Sequence, residues 1–193
     1  MTDGLMFVTC GDKALDSYRH AVEALKVSNN CYPMQTIGRD YGAANKHASR
    51  HAKTSLFDQS PYDRFIYLDA DTRPRENLKP IFDILSDGWD VVIAIDGNQD
   101  DSVFWHVDER ERNKTLEEIG VKPLQLQCGI MAICKNERTR ALFENWHSEW
   151  LRYSGEDQAA FIRALYQSPV KVWLLAQPWN GGAAIGHNWG ALR

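Results

Sequence analysis

The stretch RFIYLDADTRP, Arg64 to Pro74, decides how the rest of the chain is read. Phe65 to Leu68 is apolar at every position, the pattern of a strand buried on both faces in the middle of a sheet. It runs directly into two carboxylates, Asp69 and Asp71, separated by one alanine. In open α/β sheets the ligand crevice lies beyond the carboxyl ends of the strands, which sets both carboxylates at the mouth of a site. Two anions a few ångströms apart repel each other unless something positive lies between them, and a divalent metal is the first candidate. A competing reading is a helix start, with Asp71 or Thr72 as N-cap and Pro74 in the first turn. Capping uses one carboxylate, whereas bridging a metal to a diphosphate uses both.

Outward from this strand, apolar runs alternate with amphipathic ones. Leu5 to Cys10 reads as a first strand, and Ala14 to Val27 as a helix whose stripe is Leu15, Tyr18, Ala21, Val22 and Leu25. YPMQTIG, residues 32–38, is a weaker strand, and Ala43 to Phe57 a second helix carrying Lys46, His47, Arg50, His51 and Lys53. After Asp69 come a helix over Leu78 to Leu85, a buried strand over Trp89 to Ile95, and a strand over Leu126 to Cys134. Helices over Glu137 to Leu151 and Asp157 to Tyr166 follow, then a last strand within VKVWLLA, residues 170–176. This alternation predicts an α/β sheet with parallel character. Between Asp96 and Gln125 the periodicity fails; a solvated loop or hairpin is one reading, and a lid or acceptor-binding element, with Phe104 and Trp105, is the other. The tail from Gln177 to Arg193 reads as irregular.

The totals set bounds. A chain of 193 residues is the size of one domain, here residues 1–193, and 22 Lys plus Arg against 26 Asp plus Glu give a formal charge of -4. That balance provides no global field for nucleic acid or anionic membrane, so any phosphate-binding charge is local. The apolar run near the N-terminus has no basic region before it and is too short to span a bilayer or serve as a signal, which reads as a soluble, cytoplasmic protein without integral membrane association. Cys10, Cys31, Cys128 and Cys134 show neither a C-x-x-C pair nor metal-like spacing with a histidine, and are expected as buried thiols.

HAKTSLFDQSPYDRFIYLDADTRP, residues 51–74, resembles the central segment of the glycogenin-like (family 8-type) glycosyltransferases, nucleotide-sugar enzymes of the GT-A fold in which a lysine-bearing helix precedes a YLDAD strand end. FVTCGDKALDSY, residues 7–18, is similar to that family's opening strand and nucleotide loop. QCGIMAI, residues 127–133, is similar to its NSGV strand, and GEDQAAF, residues 155–161, to its DQ helix start. HNWGALR, residues 187–193, fits the family pattern H-x-x-G-x-x-K, with Arg193 where lysine is usual. The resemblance covers nearly the whole chain, although the middle loop and the stretch before His187 are shorter and divergent. It implies a single GT-A-type Rossmann-like domain with a mixed, mainly parallel sheet flanked by helices.

By this resemblance Asp71 and His187 hold the metal, with Asp69 contributing to metal and ribose contacts. A neutral imidazole beside carboxylates moves the preference from Mg²⁺ toward Mn²⁺. Lys53 contacts the donor, or else faces solvent on its basic helix; Arg193 clamps the diphosphate, with Gly190 at the matching offset. Thr9, Cys10, Asp12 and Tyr18 lie where the family holds its base, with the tyrosine on uracil, which implies a UDP-sugar; here the loop is longer and Cys10 replaces a larger apolar residue. Tyr18 also lies on its helix's apolar stripe, where core packing would use it. Asp157 and Gln158 fall beneath the sugar's reactive carbon, or cap a helix. In retaining relatives the leaving phosphate helps deprotonate the acceptor; an inverting enzyme would use a carboxylate of Glu156-Asp157 as general base.

The expectation is a metal-dependent glycosyltransferase moving a sugar from a nucleotide-diphosphate donor, with retention, to an acceptor that is a glycan, a small molecule or a protein. A modified DNA base stays open through a small patch of Lys46, Arg50 and Lys53. A haloacid-dehalogenase-like phosphohydrolase also sets D-x-D after a buried strand but wants threonine or valine where Arg73 stands. A nucleotide-sugar-binding relative without turnover is a further alternative. A sugar nucleotidyltransferase would carry a Gly-rich basic loop, which TCGDKALD is not.

Overall fold

Alternation of apolar residues is what gives each strand two faces to bury, and the structure, a computed structural model, shows both faces filled. It describes residues 1–38, 46–97, 99, 104 and 106–188. In chain order these form β1 (Asp3–Val8), α1 (Asp12–Val27), β2 (Met34–Ile37), α2 (Lys46–Thr54), α3 (Leu56–Gln59), β3 (Arg64–Leu68), β4 (Thr72–Pro74), α4 (Lys79–Ser86), β5 (Val91–Ile95), α5 (Glu109–Ile119), β6 (Leu126–Cys134), α6 (Glu137–Leu151), α7 (Asp157–Gln167), β7 (Val172–Leu175) and β8 (Ile185–His187). Six strands make one sheet in the order β2-β1-β3-β6-β5-β7. β2, β1 and β3 run parallel, as do β5 and β7, and β6 runs antiparallel between the two groups. The sheet is therefore mixed and mainly parallel, with helices on both faces.

Along β3, Phe65 and Tyr67 point into the core shared with α2, α3, α5, α6 and α7, while Ile66 and Leu68 enter the smaller core against α1 and α4. That two-sided burial is why RFIYL carries no polar alternation. On β6 the alternation slips: Cys128, Met131 and Ile133 share one core, and Ile130 and Ala132 the other. The pairing with β5 shifts at the same place, between Ile93 and Ala94. A bulge of this kind re-aims the strand beyond it. On its other edge β6 keeps an unbroken register with β3, whose next rung sets the Gly129 carbonyl against the Asp69 N–H, 2.8 Å away, at the carboxyl end of β3.

Five expectations are corrected. Thr72–Pro74 caps no helix: it is the short strand β4, paired antiparallel with β8, so Thr72 stands opposite His187. The tail is correspondingly not irregular throughout, since it holds a 3₁₀ turn at Gln177–Trp179 and then β8. The charged middle stretch, read as a loop, contains α5, capped by the Asp108 side chain and ended by Gly120 in a left-handed conformation. Its polar sequence conceals a buried face of Glu111, Thr115 and Ile119, because a glutamate inside is matched by an arginine from another helix. The helix expected over Ala43 to Phe57 is two, α2 and α3, interrupted at Ser55; residues 43–45 lie outside the described ones. All four cysteines are free thiols, but only Cys10 and Cys128 are buried as expected; Cys134 is half-buried and Cys31, after the end of α1, is exposed. No helix among the described residues is long and apolar enough to cross a membrane.

Candidate active site

The chain leaves β3 through a tight turn in which the Asp69 carbonyl accepts from both the Thr72 N–H, at 3.0 Å, and the Thr72 hydroxyl, at 2.8 Å. The turn returns the chain as β4 with Asp69 and Asp71 at its head. β8 then sets His187 beside Asp71, and the Asn188 N–H donates to the Asp71 carbonyl at 3.0 Å. A two-stranded ribbon thus joins residues 116 apart in the chain. His187 Nε2 lies 3.1 Å from Asp71 Oδ1 and 3.8 Å from Asp69 Oδ2. One ligand atom from each of the three falls within 4.8 Å of the others, the grouping the sequence reading expects of a metal site.

Gly129 keeps this space open. A Cβ there would lie 2.7 Å from His187 Cε1 and 2.8 Å from Asp69 Oδ2, inside the contact distance of any real side chain.

Lys53, on α2, is buried, not solvent-facing, at 7 % exposure. Its ammonium bridges Asp157 Oδ2 at 2.8 Å and Asp69 Oδ1 at 3.1 Å and lies over the Tyr67 ring. Burial works against this charge, but Asp157 and then Asp69 outweigh it and hold the lysine's pKa well above its ordinary value. Burial likewise pushes the Asp157 carboxyl up, yet Lys53 and Arg50 prevail, so it sits below the usual carboxylate range. Tyr67 donates to Asp69 Oδ1; burial and then the Asp69 charge drive its phenol well above the ordinary value.

Asp157 opens α7, but the N-cap of that helix, Glu156, makes no side-chain cap bond and instead pairs with Arg50. The capping reading of Asp157 is therefore replaced by an ion pair with Lys53. Two tryptophans of α6 fix the segment before it, Trp146 donating to the Asp157 carbonyl at 2.9 Å and Trp150 to the Gly155 carbonyl at 3.3 Å. Gln158 donates to Asp96 Oδ2 at 3.2 Å, and Gln127, redirected by the bulge, donates to the same oxygen at 3.0 Å.

Lys53, Asp69, Asp71, Asp157 and His187 are thus brought together, with Gln158 next to Asp157. Thr9 and Cys10 directly follow β1, the strand beside β3; both are buried, Thr9 with its N–H on the Ile37 carbonyl at 2.9 Å, and burial raises the Cys10 thiol. Asp12 is exposed in the first turn of α1. Tyr18 lies edge-on to Phe7, ring centroids 4.9 Å apart, so core packing already uses it. Gly190 and Arg193, with Trp189, fall outside the described residues. The patch of Lys46, Arg50 and Lys53 does not form a basic surface: Arg50 and Lys53 are consumed by Glu156, Asp157 and Asp69, and the Lys46 side chain is outside the described ones.

Sequence reading missed Gly129, Asp96, Gln127 and Asn180. Gln127 carried a signal, a polar residue in an otherwise apolar strand. Asn180 carried only its NGG setting, which marks a turn and names no partner.

No family model matches the sequence, and no curated protein does. Solved structures match throughout. Mouse xyloside xylosyltransferase 1 in its apo form superposes with a TM-score of 0.62 at 13% identity, over 100% of this chain and 99% of that one. The galactosyltransferase LgtC, solved with donor and acceptor sugar analogues, gives 0.58 at 16% identity, over 91% and 74%. A glycosyltransferase involved in glycosylation of the major capsid of PBCV-1 gives 0.60 at 9% identity, over 92% and 83%. At these identities the likeness is one of fold, and the fold is the mixed α/β architecture of the GT-A glycosyltransferases.

Proposed function

We propose that the chain is a metal-dependent glycosyltransferase that moves a sugar from a nucleotide-diphosphate donor, a UDP-sugar by the resemblance of its opening loop, to a soluble acceptor. The observation that carries this reading is the convergence of Asp69, Asp71 and His187 on one space held open by Gly129. Two carboxylates and an imidazole fit Mn²⁺ and accept Mg²⁺, and phosphate oxygens of the donor would complete the shell. A divalent cation there would offset the charge that grows on the leaving diphosphate.

The chain's own residues do the rest. Asp69 and Asp71 fix the metal's place at the end of β3, and Lys53 holds Asp69 against Asp157, so that the metal site and the start of α7 move as one. Asp157 is committed to Lys53 and Arg50 and has its proton affinity held down, which makes it a poor general base. That supports retention, with the acceptor proton passing to the leaving phosphate and Gln158 lying at the sugar's reactive face. Arg193 and Gly190 are assigned to the diphosphate, and Thr9, Cys10, Asp12 and Tyr18 to the base, on the resemblance.

A donor-hydrolysis screen across nucleotide sugars with Mn²⁺, Mg²⁺ and chelator tests the reading. Turnover on one donor, abolished by chelator and lowered about 10³-fold by Asp71→Asn, a loss of ~4 kcal/mol of transition-state stabilisation, is the expected result. Hydrolysis of simple phosphate esters with no dependence on a nucleotide would replace it with the phosphohydrolase, and tight donor binding without turnover with the non-catalytic relative.

A further inference from the structure

His187 is held from behind as well as from the front. Its Nδ1 lies 2.7 Å from Asn180 Oδ1, on the side of the ring away from the aspartates, and Asn180 is 1 % exposed. The segment between them is a closed loop. The Asn180 N–H donates to the Gln177 carbonyl at 2.7 Å, Gly181 and Gly182 both donate to the Ile185 carbonyl, at 2.8 and 3.0 Å, and Ala184 donates to Pro178 at 3.1 Å. With β8 locked to β4, the amide and the imidazole have no independent freedom.

We infer that Asn180 is a positioning residue for His187: its amide oxygen accepts the Nδ1–H and so turns the Nε2 lone pair toward Asp69 and Asp71, where a divalent cation would be ligated. A neutral imidazole has one N–H, and an amide oxygen can only accept, so this contact selects the tautomer. In that tautomer Nε2 presents its lone pair on the side of Asp71 Oδ1, 3.1 Å away. Histidine ligands are commonly fixed from their other nitrogen in this way. The burial is itself informative. Asn180 Nδ2 has no hydrogen-bond partner among the described residues, a cost that a leucine of similar size would avoid and that the oxygen's task explains.

The inference rests on the metal reading above, and its test separates the two. Mn²⁺ affinity is measured by calorimetry and by the EPR signal of free ion for the full chain and for His187→Ala, Asn180→Leu and Asn180→Asp. The expected result is binding by the parent chain, its loss in His187→Ala, a weakening of roughly 10- to 100-fold in Asn180→Leu, and retention within about threefold in Asn180→Asp, which keeps an acceptor for Nδ1–H. Parent affinity in Asn180→Leu overturns the positioning role while leaving the metal site standing. A parent chain that binds no Mn²⁺, or a His187→Ala variant that binds as well as the parent, overturns both. Equal losses in Asn180→Leu and Asn180→Asp place the role in the NH₂ group and overturn the inference. Should Asn180→Leu fail to fold, ¹⁵N NMR of His187 in the metal-free parent chain at mildly alkaline pH decides: the Nδ1–H tautomer is expected, and the Nε2–H tautomer overturns it.

Discussion

Two buried ionic clusters share helix α7, six positions apart, and they differ in whether their charges close. Arg163 donates to Glu149 Oε2 at 2.8 Å, Thr115 Oγ1 at 2.6 Å, Glu111 Oε1 at 3.0 Å and the Glu149 carbonyl at 3.0 Å, tying α5 and α6 to α7. Arg152 adds a 2.6 Å pair to Glu149, and burial raises the Glu111 carboxyl, favouring its neutral form. In that cluster each buried carboxylate meets an arginine, although Glu111 Oε2 itself has no hydrogen-bond partner among the described residues. Around Asp157, by contrast, Lys53 and Arg50 serve Asp69, Asp157 and Glu156, while Asp71 faces His187. Among the described residues, anions here exceed the cations supplied. A buried charge whose complement is finished is structural; one whose complement is left open points to a ligand that finishes it.

The comparison can be broken in three places. The largest effect on metal binding is expected from Gly129→Ala, whose methyl would occupy the cradle between His187 and Asp69: Mn²⁺ affinity, read by calorimetry, falls about 100-fold with the circular dichroism spectrum kept. Unchanged affinity would mean that the cation does not sit among those three residues. Arg163→Met should do the reverse. Leaving Glu111 buried without its arginine, and Glu149 with Arg152 alone, costs about 3–5 kcal/mol in denaturant unfolding, whereas Mn²⁺ affinity of the folded protein stays that of the parent. If binding weakened as much as stability, the two clusters would not be separable.

The smallest effect is the sharpest in sign. Asp157's folded pKa lies below its unfolded value, so its stabilisation is present above about pH 4 and is lost as pH falls through the folded pKa. Lys53's folded pKa lies above its unfolded value, so its stabilisation is present below about pH 10 and is lost as pH rises through the folded one. In Lys53→Met, burial acts on Asp157 with less opposition and its pKa rises. The variant's stability deficit, measured by urea unfolding, should therefore be greatest near neutrality and shrink as pH drops toward the carboxylate range. A deficit independent of pH would show that Lys53 acts through packing alone.

Much of this was legible in the chain because it depends on short-range pattern. The run RFIYL, with no polar residue on either alternation after Arg64, allows no edge or surface placement, and the step from it into D-A-D sets the carboxylates at the strand end. α5 was hidden for the opposite reason. Glu111 reads as a surface residue until Arg163, 52 positions later, is known to meet it. Lys53 was ambiguous on its basic helix because the acids that bury it come from β3 and α7.

By itself the sequence determined the six strands of the main sheet, where the paired aspartates emerge and that His187 is the residue to watch, since each follows from periodicity, composition or a matching motif within a few neighbours. Only the tertiary structure decided that β4 and β8 pair, that Gly129 leaves a cradle beside Asp69 and His187, and that Asn180 stands behind that imidazole. Those are consequences of register and backbone approach between distant segments, set by packing that no local stretch encodes.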